Sequence, residues 1–183
     1  MSRDNLNTLS WWVDASYGVH MDMKGHTRMM MTLGRGAVMS FSSGQNLNVR
    51  SSTECELVGI NDSISKMMWG TYFIQAQGYT VDHNILYQDN KSAILLATNG
   101  RSSSSKRTKY IHHAYFLIKD KVVRGDLEIN HAPTEEMWSD MLTKPQQCML
   151  FKIMRAVLMS VKVNYDDKVE RKNTPEVIES MTT

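Results

Sequence analysis

The sequence predicts an α/β fold in which a mixed sheet is covered by helices. Three observations carry that reading. Three short strand patterns come first, with a turn signal between the second and the third. Strand and helix patterns then alternate, and this combination suggests a mixed sheet. Hydrophobic residues make up 42% and charged residues 22% of the 183-residue chain, the balance of one globular domain.

Each element has its own signal. Residues 1–9 are polar and read as an N-terminal arm. The apolar run from Ser10 to Ser16 closes on Asp14 and reads as a strand. Met29 to Leu33 and Ala37 to Phe41 are two more, joined as a hairpin through Gly34-Arg35-Gly36. A long helix follows Ser51-Ser52-Thr53. Its residues Leu57, Ile60, Ile64, Met67, Met68 and Tyr72 recur at three- and four-residue steps, and Gly78 ends it. Ile85 to Gln88 is a fourth strand, closing on Asp89. Lys91 to Thr98 is a second helix, stopped by Asn99-Gly100. The serine run Ser102–Ser105 reads as a flexible lead into a helix over Tyr110–Val123, and Leu127 to Asn130 is a fifth strand. Pro133-Thr134 opens a further helix that reaches Thr143 and is stopped by Pro145. A last amphipathic helix over residues 150–161 carries Leu150, Ile153, Met154, Val157, Leu158 and Val161 on one side. The domain is thereby placed at residues 10–162, and the charged stretch 163–183 reads as a disordered tail.

Composition excludes several classes. Apolar stretches fall short of the roughly 20 residues a membrane helix needs. Arg3 and Asp4 lead into polar residues, unlike a signal peptide. Two cysteines, Cys55 and Cys148, make neither a disulfide framework nor a zinc site, and a reducing compartment suits them. Met29, Met30 and Met31, among 15 methionines, read as core filler. The net charge of +2 conceals a local excess: residues 101–125 carry seven Lys or Arg against the single acid Asp120. Such a segment is either a phosphate-binding patch or a solvated helix face.

Four acids stand where chemistry could use them, and each also has an ordinary explanation. Asp14 ends a strand. Glu56 follows Thr53 in the T-x-x-E pattern of a capping box. Asp89 lies between a strand and a helix, where Asp is a favoured N-cap. Asp140 follows Glu135 and Glu136 and reads alone as a solvated helix carboxylate. Together they suggest more. Two strand-end acids can sit side by side, and acids from two helices can point at the same place. Mg²⁺ prefers such oxygen ligands. Two ions about 4 Å apart activate a water and hold the leaving oxygen in phosphoryl transfer.

The blocks V-D-A-S-Y-G (13–18), S-S-T-E-C-E-L (51–57), Y-Q-D-N-K-S-A-I (87–94), K-R-T-K-Y-I (106–111) and P-T-E-E-M-W-S-D-M-L-T-K-P (133–145) occur in this order. In them the chain resembles the ribonuclease H domain of copia-type LTR retrotransposon Pol polyproteins. The resemblance covers about residues 10–160. It implies a ribonuclease H-like fold, a five-stranded mixed sheet flanked by helices. It also implies a catalytic, metal-binding set of Asp14, Glu56, Asp89 and Asp140, with Glu54 a neighbour of the ligand. The implied cofactor is Mg²⁺, two ions, with Mn²⁺ as a substitute. The implied activity is cleavage of the RNA strand of RNA–DNA hybrids during reverse transcription, leaving 5′-phosphate and 3′-hydroxyl ends. Lys106, Arg107, Lys109, Asn90 and Gln45 would touch nucleic acid, and His131 is the candidate proton shuttle.

The implied partners are the hybrid and the reverse transcriptase domain of the same polyprotein, with no membrane. The implied location is a cytoplasmic virus-like particle or the nucleus, without secretion. Where the family continues its R-T-K block as H-I-D-I-R, this chain has Tyr110-Ile111-His112-His113-Ala114, a departure at substrate contacts. The chain reads as a polyprotein piece, processed or truncated. Two other readings stay open: a catalytically inactive nucleic-acid-binding remnant or polymerase appendage, and a nuclease acting on DNA.

Overall fold

Short, largely apolar runs place the central strands, and short polar caps place the helices. The computed structural model describes residues 7–34, 36–99, 109–142 and 148–161. Among them lie strands β1 (Thr8–Ser16), β2 (His26–Thr32), β3 (Ala37–Gly44), β4 (His83–Gln88) and β5 (Glu128–His131). The α-helices are α1 (Ser52–Ala76), α2 (Lys91–Asn99), α3 (Lys109–Val123) and α4 (Cys148–Met159). The strands form one five-stranded sheet in the order β3-β2-β1-β4-β5. β2 is antiparallel to both β1 and β3, whereas β4 is parallel to β1 and β5 is parallel to β4. This is the mixed sheet the sequence predicts.

The central strands are covered on both faces. Successive side chains of a strand point to opposite sides. Leu9, Trp11 and Val13 of β1, with Met29 and Met31 of β2, therefore pack against Leu57, Ile60 and Met67 of α1 and Ile118 of α3. Trp12 and Met30 point the other way, to Met137, Trp138 and Met154. The three consecutive methionines thus fill core on both sides of the sheet. Helix α1, roughly 37 Å long at 1.5 Å per residue, lies close on β1 through Gly70. A Cβ there would come within 2.9 Å of the Trp11 ring.

Several elements differ from expectation: β2 begins at His26 and β3 ends at Gly44, each three residues past the expected bound. β1 begins at Thr8, because Leu9 is fully buried and pairs with Asn84; the polar arm stops short of it. The helix expected from Pro133 to Thr143 is instead two 3₁₀ turns, Thr134–Glu136 and Trp138–Leu142. Pro133 makes no side-chain cap there, and Met137 and Trp138 are drawn into the core, so the chain follows the core rather than one straight axis. The hairpin residue Arg35, the serine run 102–105, Pro145 and the stretch 163–183 lie outside the described residues. Among the described residues no helix is long and apolar enough to cross a membrane.

One buried polar link ties the layers together. The Trp11 Nε1–H donates to Asn84 Oδ1 at 2.7 Å, while Asn84 Nδ2 donates to the Asp126 carbonyl at 2.9 Å. Asn84→Ala should lower stability by about 1–3 kcal/mol, because the buried indole N–H loses its acceptor. Urea unfolding of the two proteins measures it, and equal midpoints would contradict the assignment.

Candidate metal centre

The site begins with the parallel register of β1 and β4. Trp12 pairs with Tyr87 at the end of that ladder. Asp14 lies two residues beyond Trp12, and Asp89 two beyond Tyr87, so both acids leave neighbouring strands at the same level. The third acid arrives from the first turns of α1, which packs on β1. Carboxylate oxygens of Asp14, Glu56 and Asp89 all lie within 4.8 Å of one another.

Capping chemistry frees these acids. Helix α1 is capped by Ser51, whose side chain accepts from the Glu54 N–H at 3.2 Å. Glu54 in turn accepts from the Arg50 N–H at 2.8 Å. The box therefore closes at Ser51 and Glu54, a step ahead of the Thr53–Glu56 pattern, and Glu56 faces inward. At α2 the same happens: Asn90 Oδ1 accepts from the Ala93 N–H at 3.1 Å, so Asn90 caps the helix in place of Asp89. Asp89 Oδ2 instead accepts from the Thr134 hydroxyl at 3.2 Å.

Burial and neighbouring charge raise the proton affinity of Glu56. Burial and then the nearby Asp14 carboxylate push the Glu56 carboxyl up to about 9, with Asp89 adding to the effect. Hydrogen bonds from Gln88 and the Ala15 backbone oppose the shift. Gln88 is fully buried at the end of β4. Its Nε2 donates to Glu56 Oε2 and to the Val13 carbonyl, each at 3.2 Å, and its Oε1 accepts from the Asn90 N–H at 3.0 Å. One amide thereby braces β1, α1 and the turn after β4. On the other side, Arg28 Nη1 donates to Asp14 Oδ2 at 2.7 Å in a pair only 4% and 5% exposed. Arg28 Nη2 also bonds Ser16 Oγ.

The donor set is all oxygen, two of its three carboxylates are buried, and burial together with the neighbouring carboxylates raises the proton affinity of Glu56. That chemistry fits a hard divalent cation such as Mg²⁺ or Mn²⁺.

No protein-family model matches the chain. The Pol polyprotein of transposon TNT 1-94 from Nicotiana tabacum is 31% identical over 137 residues, 74% of this chain and 10% of that protein. The Pol polyprotein of transposon RE2 from Arabidopsis thaliana is 28% identical over 165 residues, 89% of this chain and 11% of that protein. Its homologues are copia-type retrotransposon Pol polyproteins. The chain spans about a tenth of the length of these Pol relatives. In structure it is similar to LC11-RNase H1, isolated from compost by a metagenomic approach, at a TM-score of 0.53 and 12% identity. That match covers 74% of this chain and 92% of the other. The same enzyme solved with an RNA/DNA hybrid gives a TM-score of 0.52 at 11% identity, covering 71% and 88%. The fold of this Pol homologue is that of ribonuclease H.

The remaining sequence candidates of the Pol homologue fall differently. Asp140 is only 3% exposed, so the reading of it alone as a solvated helix carboxylate is corrected. The 3₁₀ turn that carries it packs on β1 and β2, and Asp140 is not among the acids that meet within 4.8 Å of one another. Gln45 is corrected as a nucleic-acid contact. It is 2% exposed, with Nε2 donating to Thr27 Oγ1 and the Cys55 carbonyl and Oε1 accepting from the Cys55 thiol. His131 is exposed and pairs in register with Gln88, at the same end of the sheet as the three acids. Lys106 and Arg107 lie outside the described residues; Lys109 opens α3. Farther along the basic segment, Lys121 pairs with Asp126 and Arg124 with Asp120.

Sequence reading missed Gln88 and Arg28. The alternation of β4 buries Asn84, Leu86 and Gln88, so a polar residue at the third inward position was the available signal. Arg28 opposes Asp14 directly across β1 and β2, and only the strand register reveals it.

The raised Glu56 has a pH consequence. Between its ordinary value of 4.5 and about 9, the folded metal-free chain holds a proton that the unfolded chain releases. The stability tied to Glu56 is therefore full below the lower value and is lost as pH rises through the upper one. Glu56→Gln should melt higher than wild type in metal-free buffer, by a margin that widens as pH is raised. Melting curves at several pH values measure it; a constant margin would contradict the crowding.

Proposed function

We propose that this chain is the ribonuclease H part of a retrotransposon Pol polyprotein and cuts the RNA strand of RNA–DNA hybrids. The observation that carries the reading is the meeting of Asp14, Glu56 and Asp89 within 4.8 Å on a ribonuclease H fold. Asp14, Glu56 and Asp89 would hold Mg²⁺, with Mn²⁺ as substitute and two ions at full loading. Asp140 would join them from the neighbouring turn. When bound, the metal supplies activation of a water and charge stabilisation at the scissile phosphate. Cleavage would leave 5′-phosphate and 3′-hydroxyl ends.

The chain's own residues do the positioning. Gln88 fixes one Glu56 oxygen, and the Thr134 hydroxyl fixes one Asp89 oxygen. His131, exposed beside the end of β4, is the group proposed to move a proton at the leaving oxygen. Lys106, Arg107 and Lys109 would grip the DNA-strand phosphates, with Asn90 at the sugar edge. RNA would be selected by its 2′-hydroxyls along the shallow groove. The proposed partners are the hybrid and the reverse transcriptase of the same polyprotein, and the proposed location is the element's particle.

A second reading is favoured by one feature: Arg28 already neutralises Asp14. On that reading the chain binds hybrid without cutting it.

A labelled hybrid separates the two. Mg²⁺-dependent cleavage abolished by chelator is the expected result, with Asp14→Asn, Glu56→Gln and Asp89→Asn each about 10²-fold or more slower, the scale of losing one group that stabilises transition-state charge. Binding without cleavage in either metal would establish the second reading. Affinity should fall steeply with added salt if the basic segment holds phosphates.

A further inference from the structure

Arg28 is the charged group of the site that neither the sequence pattern nor the proposed chemistry uses. It is 3% exposed, and its guanidinium contacts Asp14 Oδ2 at 2.7 Å and Ser16 Oγ. Its Nε finds no hydrogen-bond acceptor among the described residues. A fixed cation therefore sits on one of the three clustered carboxylates, held by only part of its donor set.

We propose that Arg28 is a built-in competitor for divalent metal, engaging Asp14 and limiting the chain without nucleic acid to one readily bound ion. The inference rests on the metal-dependent reading above. The physical argument is one of charge and lone pairs. A carboxylate oxygen holding a guanidinium at 2.7 Å is already engaged in a charge-assisted bond. An ion that needs the same oxygen must first displace that bond inside a buried site, where uncovering either charge is costly. Glu56 and Asp89 have no Arg or Lys ion pair among the described residues. The first ion is expected at these two. A second requires Arg28 to release Asp14. Binding of the nucleic acid, whose phosphates offer a guanidinium alternative acceptors, would favour that release.

The test is calorimetric titration of the full chain with Mn²⁺, using wild type, Arg28→Gln and Arg28→Lys. Wild type is expected to take one ion. Arg28→Gln should bind about tenfold tighter or better, the scale on which groups touching metal ligands alter affinity, and should take a second ion. Arg28→Lys keeps the charge without the fork and should lie between them. Melting gives an independent readout: Arg28→Gln should melt below wild type without metal and regain the difference with saturating Mn²⁺. If Arg28→Gln does not fold without metal, Arg28→Lys carries the comparison. Wild-type affinity and stoichiometry in the folded variants would overturn the role of Arg28 while leaving the metal site standing. Absence of Mn²⁺ binding in every protein would overturn both.

Discussion

Mutual repulsion among three carboxylates is the constraint around which this end of the molecule is built. Asp14, Glu56 and Asp89 meet within 4.8 Å, two of them buried. Like charges so close, and so poorly solvated, cannot all stay ionised without compensation. The fold supplies three kinds. Arg28 neutralises Asp14 across the strand pair, a proton rests on Glu56, and Gln88 and Thr134 donate hydrogen bonds to Glu56 and Asp89. Each is positioned by regular structure: the antiparallel β1–β2 register for Arg28, the parallel β1–β4 register for Gln88, and the turn after β5 for Thr134.

The fold and part of the site are legible in the sequence because they follow from local rules. Short apolar runs on either side of the Gly34–Gly36 turn mark the hairpin of β2 and β3, and three- and four-residue spacing marks α1. The acids of β1, α1 and β4 stand at the ends or starts of elements, where a shared pocket can form. Local rules also mislead where two residues compete for one task. Thr53 and Glu56 spell a capping box, but Ser51 and Glu54 spell another two residues earlier, and the helix starts there. Asn90, not Asp89, caps α2. In both cases the neighbour takes the structural duty and the acid is left for the cluster.

What stays hidden depends on contacts between residues distant in sequence. Arg28 meets Asp14 only through the register of two strands. Gln45 is expected to touch nucleic acid, yet it closes a buried knot with Thr27 and Cys55. The Asp140 segment carries a helix-like pattern, but burial of Met137 and Trp138 bends it into 3₁₀ turns and takes the carboxylate out of water. Such outcomes belong to tertiary packing, which no window of local spacing contains.

The run Met29-Met30-Met31 has a consequence for how the protein ages. Its thioethers are buried at the centre of the sheet and divided between its two faces. Conversion to sulfoxide would place a polar S=O group into one apolar layer or the other, whichever methionine were hit. While the sheet is closed, oxidants cannot reach these sulfurs. Oxidative damage here therefore belongs to moments of opening, and a chain damaged in such a moment would have difficulty closing again around Arg28 and the acids beside it.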